Sequence, residues 1–173
     1  MKKWTHLYVF LILSGISSLY RSWTVFMSKF DEAGLRSQFE AAGIPIDNEM
    51  ISFSNAAFQF QTNIVNKILA VILVVALIVA AVFLIQKKFE TASYTYIGYL
   101  FGTLILSTYS FIGTRGLTSI YTDVTVRNTV QATMLGGYAL NIVLFIIYFG
   151  LIIFFHMRKP KAMPTLEQNA TDI

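Results

Sequence analysis

The chain has 173 residues, of which 55% are hydrophobic and 13% charged, against roughly 25% charged in an ordinary soluble domain. Its charges cluster in short segments between long apolar runs, which excludes a single water-soluble core and fits a polytopic membrane protein. With no cysteine it has no disulfide framework, thiolate metal site or thiol nucleophile, and its net charge of +4 matters through placement rather than size.

Four apolar segments are long enough to span, since about 20 mostly apolar residues cross a hydrocarbon core of about 30 Å. They lie at about 4–27, 64–86, 94–113 and 134–156. In hydrocarbon a backbone must satisfy its own hydrogen bonds, so each is read as a helix. The expected fold is an all-α integral membrane protein: four transmembrane helices with a small extracytoplasmic helical cap. The membrane domain covers 1–159, with external loops at about 28–63 and 114–133 and a disordered cytoplasmic tail at 160–173.

The first segment, WTHLYVFLILSGISSLYRSWTVFM, follows Lys2 and Lys3, and its first half has the make-up of a secretory signal. The apolar character resumes at Trp23–Met27, so an uncleaved helix is the preferred reading. It carries Ser14, Gly15, Ser17, Ser18 and Arg21. Arg21 sits toward the outer end, where it reaches the interface by snorkelling; the sharper alternative is a salt bridge to an external carboxylate such as Asp123.

The loop that follows is not low in complexity. FDEAGLRSQFEAAGIP reads as a short amphipathic helix with Phe30, Leu35, Phe39 and Ala42 to one side, stopped by Gly43 and Pro45. Asp47 can cap a second helix, along which Met50, Phe53, Ala57, Phe60 and Ile64 recur at helical spacing. That pattern predicts one helix from near Asn48 straight into the second span. Its apolar stripe must be covered by the short helix, the 114–133 loop, the membrane surface or a partner. Met50, Phe53 and Phe60 are therefore a candidate external partner surface.

The third span, YTYIGYLFGTLILSTYSF with Gly113 beyond it, mixes polarity into an apolar run. At 100° per residue Gly98, Gly102, Tyr109 and Gly113 share one face, and Tyr96, Tyr99, Thr103, Ser107 and Ser110 another. The glycine face contains G-x-x-x-G and suits close helix contact, within this chain or with a second copy. The hydroxyl face either packs, by bonding across helices or to its own backbone, or lines a polar path through Tyr96, Thr103, Ser107 and Ser110. No carboxylate, histidine or lysine lies in it, which favours packing.

The loop TRGLTSIYTDVTVRNTVQAT, rich in threonine and β-branched residues, admits either a short strand pair or a bent continuation of the flanking helices. The fourth span contributes Gly136, Gly137, Asn141 and Tyr148. Gly137 and Asn141 join Gly98, Gly102 and Gly113 as expected helix-packing positions, because an amide facing lipid would lack partners.

Basic residues set the orientation. Lys2 and Lys3, Lys87 and Lys88, and Arg158, Lys159 and Lys161 fall on one side if the chain crosses four times. That side is expected to be the cytoplasm, placing a multi-pass protein in the cell membrane with both termini inside. His6 and His156 then lie near the inner interface, where polar interfacial roles fit better than a metal site with Glu90. Asn169-Ala170-Thr171 matches a glycosylation sequon on the wrong side, and Thr171-Asp172-Ile173 is a weak match to a carboxy-terminal peptide ligand.

No catalytic, cofactor or metal constellation is present in the sequence, so an enzyme is not expected. The expected partners are the bilayer and another membrane protein or a second copy, not nucleic acid. The reading is a non-catalytic accessory or partner-binding subunit of a membrane complex. Alternatives are a transport or pore-forming protein for a small solute or ion, and a sensor or immunity-type protein using segment 30–66.

Overall fold

The computed structural model describes residues 5–157. The amino-terminal lysines and Trp4, the basic residues after Met157, the 160–173 tail, the sequon and the terminal tripeptide lie outside the described residues. Six α-helices form, with a single 3-10 turn and no strand among the described residues: α1 Thr5–Met27, α2 Glu32–Ala41, α3 Asn48–Gln61, α4 Ile64–Ile85, α5 Phe89–Gly116 and α6 Val124–Met157, the 3-10 turn being Leu117–Ile120. Four helical stretches, built on α1, α4, α5 and α6, are long and apolar enough to cross a membrane.

Local chemistry sets the helix ends. Asp31 accepts a 2.9 Å hydrogen bond from the Gly34 amide, and Asp47 a 2.7 Å bond from the Met50 amide, each satisfying a donor that the first helical turn leaves open. α2 stops where Gly43 turns left-handed at φ 69°, and the Ile44 amide reaches back to the Phe39 carbonyl. The α4–α5 turn uses Lys87 at φ 62° in the same role, with the Lys88 amide on the Phe83 carbonyl.

Two expectations are corrected. The continuous helix from near Asn48 breaks after Gln61: the Asn63 side chain accepts from the Asn66 amide at 2.9 Å and starts α4 anew. Side chains such as asparagine compete with the helix ladder for backbone groups, and apolar spacing carries no trace of that. Ile64, expected on the stripe, is exposed instead. The helices that carry the third and fourth apolar segments also extend past 94–113 and 134–156, because the 114–133 segment forms as helical continuation around a 3-10 turn rather than as strands.

α5 is the centre of the bundle, with α4 on one side and α6 on the other; α1 packs against α4. The core is Leu7 and Leu11 of α1, Leu73, Leu77, Ala80 and Leu84 of α4, Ala92, Tyr96, Tyr99, Leu100 and Leu106 of α5, and Ile152 of α6. The alanines let backbones approach. Outside, the bundle presents rows of large apolar side chains, such as Ile12, Ile16 and Leu19, Ile72, Val75 and Ile78, and Leu140, Val143 and Ile147. An exterior of this kind on a soluble monomer would be an aggregation surface; in hydrocarbon it costs nothing.

At one end α3 lies over the bundle. Glu49 accepts from the Thr122 amide at 3.1 Å and the Thr122 hydroxyl at 2.7 Å, while Phe53 packs on Tyr121 and Phe60 on Tyr109. The stripe is thus covered largely by the chain itself, with Phe30 adding a contact to Phe58. Phe53 and Phe60 are half-buried against Tyr121 and Tyr109, so the chain itself covers part of the surface these residues were expected to offer, and Met50 is half-buried too.

Candidate functional site: a polar cleft between α1, α5 and α6

α1 and α6 meet only at one end. There His6 stacks on Phe155, with ring centroids 4.3 Å apart, and Phe10 lies 5.3 Å from Tyr148. Beyond these rings the two helices diverge, and a cleft of about 250 Å³ opens with α5 as its floor. Ser14, Ser17, Ser18 and Arg21 line the α1 wall, Tyr99, Thr103 and Ser107 the floor, and Asn141, Leu144, Phe145 and Tyr148 the α6 wall. A second cavity of about 410 Å³ shares Arg21, Ser107 and Asn141 with it and continues to the underside of α3, at Phe53, Ala57 and Gln61. The two form one groove, whose side mouth lies between α1 and α6 at the exposed edges Leu13 and Leu144.

The hydroxyl face of α5 divides along this groove. At the closed end Tyr96, 0% exposed, shares a 2.7 Å hydrogen bond with Ser14, and Tyr99 a 2.8 Å bond with Ser18. Both bonds clamp α1 to α5. Tyr96 therefore packs between helices and does not line the polar path that was the alternative for this face. At the open end Thr103 donates to the Leu100 carbonyl of its own helix at 2.7 Å, and Ser107 has no hydrogen-bond partner among the described residues. Ser110 accepts from the Arg21 guanidinium at 3.5 Å, at the outer limit of a hydrogen bond.

Arg21 is the one charged side chain of the groove. It lies six residues before the end of α1, about 9 Å along the axis at 1.5 Å per residue. No carboxylate among the described residues is within salt-bridge reach. Asp123, the partner considered above, instead caps α6 by accepting from the Thr125 and Val126 amides at 2.6 and 3.3 Å, which hold its carboxyl below the usual carboxylate range. Arg127, also nearby, is spent on the Tyr121 carbonyl.

The glycine positions separate too. A methyl at Gly102 would meet Leu73 Cδ2 at 2.7 Å, and one at Gly113 would overlap the Phe60 ring, so both glycines serve contacts inside the chain. Gly98 and Gly137 face open space, so neither forms the helix contact expected of it within this chain. Asn141 bonds the Gly137 carbonyl through Nδ2 at 2.9 Å, an attachment within its own helix, and turns into the groove rather than into a helix contact. His156 tilts against Tyr94, and no group of three metal-type ligands lies together among the described residues.

The sequence missed Arg21 as the centre of a site, and the Tyr96–Ser14 and Tyr99–Ser18 clamps. Serines and tyrosines at matching depths on two spans were the available signal, but pairing requires knowing which helices are neighbours. Comparison with known proteins gives one match. The family model described as a domain of unknown function, DUF8777, matches residues 1–165, so the chain belongs to that family. No curated protein and no solved structure matches it significantly.

Proposed function

We propose that this member of the DUF8777 family is a non-catalytic accessory protein embedded in the cell membrane, and that its binding site is the groove between α1, α5 and α6. One observation carries the reading: a groove open to the side of the bundle holds an arginine with no counter-charge among the described residues. A charged side chain on a candidate span that faces a cavity marks a site by default. The orientation puts Lys87 and Lys88 in the cytoplasm with both termini, and α2 and α3 outside.

Transport along Thr103, Ser107 and Ser110 is the second reading, since these side chains do lie along the groove. It has less support, because the groove stops at Ser14 and Tyr148 and the Phe10–Tyr148 and His6–Phe155 rings stand beyond it. Flux would require those rings to part.

A photoreactive amino acid at Leu13, on the mouth of the groove, tests the binding reading in native membranes. The same probe at Ile72, an exposed position of α4 away from the groove, is the control. A defined adduct from Leu13 and only diffuse lipid labelling from Ile72 is the expected result. Identical labelling from both positions refutes a binding groove.

A further inference from the structure

We infer that the groove's occupant is an anionic membrane phospholipid, with its headgroup phosphate against Arg21 and its chains leaving between α1 and α6. This rests on the binding reading above and names what is bound.

The donor inventory points to an anion. The Arg21 fork carries five N–H donors and spends one on a long bond to Ser110. Asn141 keeps the second hydrogen of its amide nitrogen after bonding Gly137. Ser107 has its hydroxyl hydrogen uncommitted among the described residues. No carboxylate lines either cavity to oppose them. A planar guanidinium flanked by neutral donors matches a phosphate, which accepts from several directions at once.

Depth and size suit a lipid. Headgroup and interfacial layers add about 5–7 Å on each side of the hydrocarbon core. The Arg21 backbone is about 9 Å inside the end of α1, a depth from which its long side chain can reach a headgroup. Cavities of about 250 and 410 Å³ give room for a headgroup and the start of its chains. Below the arginine the lining is mixed, with Leu13, Leu104, Leu144 and Phe145 set among Ser14, Ser17, Thr103 and Tyr148.

The test uses the full chain purified in mild detergent, with bound lipid read by native mass spectrometry. Phosphatidylglycerol, phosphatidylcholine and inorganic phosphate are the three probes. Phosphatidylglycerol should be retained over phosphatidylcholine by roughly tenfold: both present the phosphate, but the choline head adds a cation that no carboxylate of the groove receives. Arg21→Gln should bring the two lipids within about twofold of each other, and Arg21→Lys should keep the preference. Arg115→Gln, an exposed cation at the end of α5, should leave it unchanged. Asn141→Leu fills the groove without touching the core, so it should also lose the preference if Arg21→Gln fails to fold. Equal retention of both lipids by the unaltered protein overturns the inference, as does complete displacement by inorganic phosphate. A protein adduct at Leu13 overturns it while leaving the binding reading standing; no adduct above the Ile72 control removes both.

Discussion

Replacing Tyr96 with phenylalanine removes one oxygen from the largest fully buried side chain of α5. Tyr96 is 0% exposed, and its hydroxyl lies 2.7 Å from that of Ser14, itself 9% exposed. Hydrogen bonds between membrane helices average about 0.6 kcal/mol and reach about 1.7, because the freed partner often finds its own backbone. Ser14 has that escape, toward the carbonyl four residues back. The expected cost of Tyr96→Phe is therefore about 0.6–1.7 kcal/mol. In a double-mutant cycle with Ser14→Ala the two losses should overlap, with a coupling energy of the same size. Thr103→Val is the comparison: its hydroxyl bonds only Leu100 of its own helix, so its cost should stay within about 0.5 kcal/mol. Denaturation in mixed micelles by increasing sodium dodecyl sulfate, followed by circular dichroism, measures all four proteins. Costs for Tyr96 and Ser14 that add within about 0.3 kcal/mol would mean that no interhelical bond exists and that the division of the α5 hydroxyls is wrong.

Two further outcomes follow from the geometry. Among the glycines, Gly113→Ala should cost about 1–3 kcal/mol, since the Phe60 ring it meets is held against Tyr109 5.1 Å away. Gly102→Ala should cost less, because a leucine methyl can swing aside, and Gly98→Ala should be neutral or stabilising by up to about 1 kcal/mol. The same micelle titration ranks them; a ranking led by Gly98 would place a second copy on that face. For Asp123 the folded-state carboxyl titrates below its unfolded value of about 3.9, so its cap is present above that value and is lost as pH falls through the lowered one. Amide NMR shifts of Thr125 and Val126 should thus be flat from mildly acid to neutral pH and move only in strong acid. A midpoint at or above the ordinary carboxylate range refutes the capping role, and Asp123→Asn should abolish the transition.

The spans were legible because length and hydropathy are properties of one segment at a time. The caps at Asp31 and Asp47 were legible for the same reason: an oxygen meets an amide three residues on. The break at Thr62–Asn63 was hidden by apolar spacing that runs across it. Gly98 and Gly102 lie only 40° apart on a helical wheel, yet one meets Leu73 and the other meets nothing, a difference made by the position of α4. Arg21 was read as snorkelling outward because that is the cheapest course for a cation on a lone helix. It turns toward Ser110 because α6 stands away from α1 and leaves room.

That divergence has a local cause in side-chain size. At the closed end α1 and α6 are held by rings, His6 on Phe155 and Phe10 near Tyr148, backed by Ile152 at 0% exposure. At the open end the corresponding floor positions are Thr103 and Ser107, too small to bridge the gap, and Asn141 bonds along its own helix. Meanwhile Phe111 stacks on Tyr138, whose hydroxyl bonds Thr108 at 2.8 Å, so α6 is fastened to α5 and not to α1. Large rings at one end and short hydroxyls at the other wedge the pair apart. A bundle selected only for tight packing would fill that wedge, as Ser107→Leu should. Restored helix contact with no loss of lipid retention in that variant would show the opening to be incidental; loss of retention from a more stable protein would show that stability is given up there to keep a site.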